Sequence, residues 1–432
     1  MDDPLVAWLS LSALAVVIVV SCFTRINPGV LSILLAAVIG GWLAPMRGQT
    51  IGLKTVVGGF PSDLFLTLTA VTLLFTQAQG NGTLDRVAGA AVRCCRGKAA
   101  LVPAAFFLLA FGLASIGPGN IAATALLAPT AMAAAHRLGI SPVLMSIMVA
   151  HGALAGGMCP LAPTGVIAAS IMKEKLGLPG FEWRLYFDNL VANTVVAVAG
   201  YFAFGGRRLI ALGSAAPGAE TAPADSLRFE APHRWTLFVV FLLVIGVVFF
   251  KVPVGMGAFA GVILLTLTGL ADESEAVRKM PWGVILMVCG VTVLTSLLEK
   301  TGGTDLFIRL VGRISGERTV TGVIALLTGL ISVYSSTSGV VLPAFLPIAT
   351  GLARTVGADP LAIASSIVVG GHLVDSSPLS TLGALCLASA SPSEDRAALF
   401  KKLLAWGLSM TVVGGVVCFI FFGLLKISSV TK

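Results

Sequence analysis

Charge is scarce in this chain. Only 11% of its 432 residues are Asp, Glu, Lys or Arg, and it carries four histidines and three tyrosines. Soluble domains carry roughly 25% charged residues, so a water-soluble core is excluded. The seven cysteines have no metal-ligand spacing. Cys94 and Cys95 are adjacent and the others are scattered through apolar segments, which points to small buried hydrophobes rather than a zinc module. No basic run alternates with aromatics, so the net charge of +8 does not indicate nucleic acid; positive cytoplasmic loops account for it. A basic leader is also missing. The chain starts Met1-Asp2-Asp3-Pro4, and Leu5–Phe23 is uncharged, which reads as a first membrane span rather than a cleaved signal. Finally, the windows 99–135, 143–172, 319–353 and 355–395 contain no Lys or Arg. An anion held there must be held without a cationic side chain.

What is present is apolar and small. Hydrophobic residues make up 56% of the chain, glycines number 49, and mean hydropathy is +0.98. This is the composition of a polytopic helical membrane protein whose helices approach closely through small residues. A span needs about 20 apolar residues. Leu5–Phe23, Pro28–Met46 and Pro61–Gln79 qualify in the first half, and Trp235–Phe250, Val254–Leu270 and Pro281–Leu298 in the second. Basic amphipathic pieces follow each set, at 84–98 and 305–318, and are expected to lie at the membrane surface.

The chain then repeats itself. A shift of 218 positions carries Pro129 onto Pro347, Gly139 onto Gly357, Pro142 onto Pro360, Gly152 onto Gly370, Pro160 onto Pro378 and Gly165 onto Gly383. Side-chain identity across the repeat is otherwise weak, so the pattern rests on the residues that set backbone shape. Within each copy, two short apolar arms flank a polar break, Ser115–Asn120 or Ser335–Gly339. They are expected to form a re-entrant hairpin, because irregular backbone survives at membrane depth only against protein or a wet cavity. A longer crossing follows, broken at Cys159–Gly165 in the first copy and near Ser376–Gly383 in the second.

The expected organisation is all-α. A first repeat covers 1–204, with scaffold spans over 5–80, the surface piece 84–98, and hairpin and transport spans over 99–204. A cytoplasmic linker covers 205–234. A second repeat covers 235–432, with scaffold spans over 235–298, the surface piece 305–318, and hairpin and transport spans over 319–426. Five crossings per copy is an odd number, so the second copy is expected upside down relative to the first. The basic linker then sets its own side as cytoplasmic, with Arg25 and 84–98 on that side and both termini outside.

Paired broken helices are the sequence pointer to a substrate site in a secondary transporter. Asn120 and Ser338 are N-cap residue types placed where each second hairpin arm begins, and Thr164 and Thr381 stand where each broken crossing resumes. Each helix start carries roughly +0.5 of a charge, so four supply about +2, enough for a dianion. Their free N–H groups would bond carboxylate oxygens. Three ionisable residues lie inside apolar runs: His151, His372 and Asp375. Such groups default to functional hypotheses. Asp375 stands at the second break as a candidate cation ligand, proton carrier or cap; His372, three residues earlier, is placed to pair with it; His151 is expected to be a hydrogen-bonded packing residue.

On these features the chain resembles the ion-transporter superfamily, specifically the divalent anion:sodium symporters, and among them the MatC-type malonate and dicarboxylate carriers. The stretches Ile26–Trp42 and Phe60–Asp85 are similar to the MatC N-terminal region. Symporters of that group carry Ser-Asn-Thr at each hairpin tip, the Asn nine residues ahead of a proline. Here those positions hold Gly119-Asn120-Ile121 ahead of Pro129 and Thr337-Ser338-Gly339 ahead of Pro347, so that only Asn120 is kept. The group's Thr-Pro-Pro at the breaks is Thr164-Gly165 and Thr381-Leu382 here.

The resemblance implies an elevator-type homodimer in a bacterial-type inner membrane. It would carry a small dicarboxylate, malonate or a four-carbon acid, coupled to Na⁺, with no organic cofactor, no nucleic-acid partner and no enzymatic role. The expected substrate residues are Gly119, Asn120, Thr164, Gly165, Ser336, Thr337, Ser338 and Thr381. The expected cation residues are Ser115, Gly117, Asn120, Tyr334, Thr337 and Asp375. The alternatives are the large membrane subunit of a binding-protein-dependent (TRAP-type) carboxylate transporter, a proton-coupled or exchange carrier of the same fold, a channel, and an intramembrane hydrolase using Cys159 with His151.

Overall fold

The computed structural model describes residues 4–24, 26–84, 86–87, 99–211, 229–391 and 393–427. Arg25, nearly all of the surface piece expected over 84–98, and residues 212–228 of the linker lie outside that set. Among the described residues every regular element is helical. Six helical stretches are long and apolar enough to cross a membrane: Pro28–Met46, Leu53–Gly80, Ala99–Ile116, Trp282–Lys300, Thr337–Val356 and Arg396–Leu424.

The local chemistry explains where helices start. A short polar residue followed by proline opens three of them. Asn27 accepts from the Gly29 N–H, Ser141 from Leu144 and Asp359 from Leu361 and Ala362, with Pro28, Pro142 and Pro360 next in line. The cap satisfies donors that the helix cannot, and proline has no N–H to lose there. Ser141 and Asp359 stand 218 positions apart, so this device recurs in both copies.

One group of helices forms a frame. It contains α1 (Pro4–Phe23), α2 (Pro28–Val38, continued to Met46) and α3 (Ser62–Gly80) from the first half. The second half supplies the later frame helices, Ala231–Phe250, Val254–Leu267, Trp282–Lys300 and Gly303–Ile314. The halves interlock helix by helix. Val254–Leu267 lies on α3, Trp282–Lys300 on α2, and Gly303–Ile314 on α1. The α2 contact is backbone on backbone. A Cβ on Gly29 would stand 2.0 Å from the Leu286 carbonyl oxygen, and one on Gly290 would stand 2.2 Å from that of Gly29. Polar bonds cross the seam: Asn27 Nδ2 donates to the Gly283 carbonyl (2.8 Å), Gln77 Nε2 to Thr266 Oγ1 (2.8 Å), and the Ser10 and Thr301 hydroxyls meet at 2.7 Å.

The second group holds the hairpins and broken crossings. In the first half, α4 (Val102–Ile116) and α5 (Gly119–Arg137) form a hairpin turning at Gly117-Pro118. Then α6 (Pro142–Gly157) and α7 (Pro163–Ile171) form the broken crossing, and α8 (Glu182–Ala203) returns. In chain order after these come α9 (Ala231–Phe250), α10 (Val254–Leu267), α11 (Trp282–Lys300) and α12 (Gly303–Ile314) of the frame. The second half then gives α13 (Val320–Ser332), α14 (Thr337–Val356, opening with a π turn), α15 (Pro360–Val374), α16 (Thr381–Ala388) and α17 (Arg396–Cys418). Glycines let hairpin and crossing touch. A Cβ on Gly152 of α6 would lie 2.4 Å from the Phe107 carbonyl of α4; one on Gly370 of α15 would lie 2.5 Å from the Ala325 carbonyl of α13. The second contact is the first with both of its members shifted by 218 positions.

Candidate functional site: the hairpin tips and the two breaks

The first break is built around Asn120. α5 starts at Gly119 behind Pro118, with no side-chain cap. Asn120 therefore sits one turn position inside the helix, not at the N-cap that its residue type suggested. Its Oδ1 accepts from the Ile121 N–H (3.0 Å) and from Thr164 Oγ1 (3.5 Å). Its Nδ2 is buried without a partner among the described residues. Gly157 makes room for this side chain, since a Cβ there would lie 3.0 Å from Asn120 Cβ. Gly119, at φ +77, packs on Pro163, so the starts of α5 and α7 lie side by side. Gly165 turns its bare face to the break: a Cβ there would stand 1.9 Å from the Cys159 carbonyl oxygen. The Ser115 hydroxyl is 3.3 Å from that of Tyr186.

The second break is built around Asp375, which is 1% exposed. The Ser380 hydroxyl donates to its carboxylate and also meets the Ser335 carbonyl (2.9 Å). Thr337 turns its hydroxyl and backbone N–H toward the same carboxylate, and its hydroxyl is 2.6 Å from that of Ser332. The hydroxyls of Ser335 and Ser376 are buried and unpartnered among the described residues. Ser336, rather than Ser338, caps α14 by accepting from the Gly339 N–H (3.2 Å), and the Ser338 hydroxyl lies 3.4 Å from it. Likewise the residues flanking the resumed crossings are Ala162 and Ser380, with Thr164 and Thr381 already inside α7 and α16. Gly383 backs onto the Ser377 and Ser376 carbonyls at 2.2 and 2.3 Å from a notional Cβ. These are the partners that the 218 shift assigns from Gly165 with Cys159 and Met158.

The four helix starts thus meet in two pairs, α5 with α7 and α14 with α16. The pairs are tied to each other through the bodies of the helices, α16 lying on α5 and α7 on α14.

Other expectations need correction. His372 does not pair with Asp375. Its Nδ1 bonds the Val368 carbonyl one turn back (2.9 Å), because an i−4 carbonyl is within reach of a helical imidazole, and its Nε2 is left buried and bare. His151 is the buried, hydrogen-bonded packing residue that was expected, and not a partner of Cys159. Both of its ring nitrogens are engaged, Nδ1 with Asn193 Oδ1 (2.9 Å) and Nε2 as acceptor of the Trp406 indole N–H (3.1 Å). Tyr334, whose backbone was the part expected at a cation, is 38% exposed as a residue. Four residues near the breaks were not among the expected site residues: Thr124, whose buried hydroxyl is unpartnered, Ser335, Ser376 and Ser380. Thr124 is one helical turn beyond Asn120, a spacing that marks a shared face.

Each tip is also met by the frame. Phe75 of α3 lies on Gly117 and Met287 of α11 lies on Gly339, each with an atom 1.8 Å from where a glycine Cβ would stand. A cavity of about 580 Å³ runs between the starts of α3 and α10 and the first break, lined by Asp63, Thr67, Pro160, Ser170 and Lys173 among others.

Residues 5–157 match the family described as the dicarboxylate carrier protein MatC N-terminus. The resemblance to MatC-type carriers holds over that stretch. YfbS of Escherichia coli strain K12, named an uncharacterized transporter, is 26% identical over 255 residues, covering 56% of this chain and 40% of its own length. The uncharacterized transporter sll0640 of Synechocystis is 27% identical over 147 residues, 33% of this chain and 24% of its own length. The chain therefore spans less than half the length of these curated relatives. In fold it is similar to the YdaH transporter of Alcanivorax borkumensis (TM-score 0.59, 15% identity, 91% of this chain and 97% of that one). It is similarly close to MtrF of Neisseria gonorrhoeae, described with a class of antimetabolite efflux pumps (TM-score 0.58, 13% identity, 98% and 97%). At such identities the likeness is one of fold. With its apolar helices, it makes the chain a multi-pass integral membrane protein.

Proposed function

We propose that the chain is a secondary active carrier of a small dicarboxylate, malonate or a four-carbon diacid. It would be coupled to Na⁺ and work by elevator-type alternating access. In this reading the two 218-shifted copies, 1–204 and 235–432, are inverted repeats joined by the linker 205–234. The frame helices are the fixed scaffold of a homodimer in a bacterial inner membrane, and the hairpins with the broken crossings are the moving part. No enzymatic step is needed.

The observation that carries the reading is the unpartnered, buried Nδ2 of Asn120, placed at a helix start in a region free of Lys and Arg. A buried donor left bare costs about 1–3 kcal/mol, and a carboxylate oxygen would satisfy it. The adjoining starts of α5 and α7 add backbone N–H groups and positive dipole ends. Ser338, Thr337 and Ser336 offer hydroxyls at the opposite tip, with Thr164, Thr381, Gly119 and Gly165 shaping the breaks. The match to a dicarboxylate carrier family over the first hairpin supports the same substrate class.

The test is ligand-induced stabilisation of the purified chain by malonate, succinate and a monocarboxylate control. The diacids are expected to raise the melting temperature. Asn120→Ala is expected to abolish that rise while leaving the unliganded melting temperature within a few degrees. Equal affinity in the variant would refute the assignment. Uptake into liposomes by this chain alone separates it from a subunit that needs a soluble binding protein.

A further inference from the structure

A cavity of about 230 Å³ lies within the frame, and none of its lining residues belongs to a hairpin or a broken crossing. It is bounded by the ends of α3 and α10 and by the short helix Glu273–Lys279. Gln77, Asn81, Asp272, Glu275 and Lys279 line it, among others. Most of its polar groups are engaged with one another. Asn81 Nδ2 donates to Thr236 Oγ1 (2.8 Å) and to the Leu270 carbonyl (3.3 Å), and Asn81 Oδ1 accepts from Thr83. Asp272 Oδ1 accepts from the Glu275 N–H (3.0 Å), and the Glu275 carboxylate holds Lys279 Nζ at 2.6 Å. Gln77 is different. It is 1% exposed, its Nε2 is used on Thr266, and its Oε1 is buried with no partner among the described residues. A buried acceptor left bare is costly. An amide oxygen accepts and cannot donate, so an occupant that completes the cavity brings a donor.

The field around the cavity selects the charge of that donor. Both α3 and α10 end here, and each helix C-terminus carries roughly −0.5 of a charge. Asp272 and Glu275 outnumber Lys279, so a single positive charge balances the side chains and a divalent ion overshoots. The space is several times the ~30 Å³ that a water occupies in the liquid, too roomy for a bare ion and enough for a short alkyl stem. We infer that this cavity binds a small organic cation with a primary ammonium group, which donates to Gln77 Oε1 and is balanced by Asp272. The site goes beyond the carrier reading and stands apart from both breaks. Gln77 is two residues beyond Phe75, whose ring lies on Gly117, so an occupant loads the helix that meets the first hairpin tip.

The experiment titrates purified full-length protein with n-propylammonium chloride, in a constant NaCl background at fixed pH and without any diacid, and reads the melting temperature. Tetramethylammonium chloride and MgCl₂ at matched ionic strength are the controls. A ligand that binds only the folded state raises the melting temperature with occupancy. Wild type is expected to show a saturable rise with propylammonium and none with tetramethylammonium, which has the charge but no N–H. Asp272→Asn keeps the oxygen that caps Glu275 and removes the charge; it is expected to weaken the affinity by about 10-fold. Gln77→Met, similar in length but without the amide, is expected to lose the response, and Asn120→Ala to keep it. No response to propylammonium, an equal response to tetramethylammonium or MgCl₂, undiminished affinity in Asp272→Asn or Gln77→Met, or loss of the response in Asn120→Ala would each overturn the inference.

Discussion

At Gly117 the backbone takes φ +153, and the Phe75 ring fills the place of a side chain. Gly339 shows the same contact with the more flexible Met287. Any L-residue at 117 meets both backbone strain and an aromatic ring, whereas at 339 only a thioether end must move. Gly117→Ala is therefore expected to destabilise by about 2–4 kcal/mol, from overpacking and local strain together, and Gly339→Ala by about 1 kcal/mol. Denaturation of the two variants in detergent checks the order; equal losses would mean that the Phe75 contact relaxes freely. At this scale the sequence was partly legible. Gly117 and Asn120 could be singled out because glycine and a short amide punctuate an apolar run. The orphan hydroxyls of Ser335, Ser376 and Thr124 could not, since serine and threonine in membrane helices usually bond their own backbone. Only the packing shows which ones do not.

Among the elements, α6, α8 and α17 are joined by a run of polar bonds. The Trp406 indole donates to His151 Nε2, so Nδ1 carries the proton and donates to Asn193 Oδ1. Asn193 Nδ2 then reaches the Asn189 carbonyl and Oδ1, and Asn189 Nδ2 reaches the Leu154 carbonyl. His151 is thereby fixed in one neutral tautomer. Trp406→Phe keeps most of the packing but strips Nε2 of its donor. It is expected to cost about 1 kcal/mol, in line with hydrogen bonds between membrane helices. His151→Ala, which also leaves Asn193 unpaired, is expected to cost more, about 2–3 kcal/mol. A Trp406→Phe loss as large as the His151→Ala loss would show that the ring, not the bond, matters. Helix existence was easy to read, because long uncharged apolar runs such as Leu5–Phe23 and Pro281–Leu298 announce it. The exact starts at the tips were not. Pro118 and the π turn at Thr337–Val341 shift the first helical residue by one or two positions, and no single-residue preference resolves that.

Across the whole molecule, the frame and the hairpin group meet along α3, α11 and α12, and among the described residues an exposed ion pair crosses between them. Lys175, just beyond α7, lies 2.7 Å from Glu299 at the end of α11. Both side chains are about one-third exposed, so the pair is screened and worth well under 1 kcal/mol to stability. In the proposed elevator reading, its effect would fall on the balance between arrangements of the two groups. Lys175→Glu is expected to leave the melting temperature nearly unchanged and to alter transport rate, with Glu299→Lys added in the same chain restoring it. A double variant no better than the single would show that no pairing is involved. The 218-residue spacing was legible at this scale because glycine and proline keep their places while other residues drift, and contacts such as Gly152 on Phe107 and Gly370 on Ala325 follow it. The pairing of α2 with α11 and of α3 with α10 was not, since membrane helices of uniform apolarity carry no periodic signal of partner choice.

The seam at Gly29 and Gly290 has a mechanical corollary. Two helices that touch carbonyl to α-carbon, with nothing compressible between them, cannot roll or slide without driving oxygen into carbon. In the proposed elevator reading the frame would serve as a welded keel, and motion would fall on the softer boundary, where a ring and a thioether rest in shallow glycine notches.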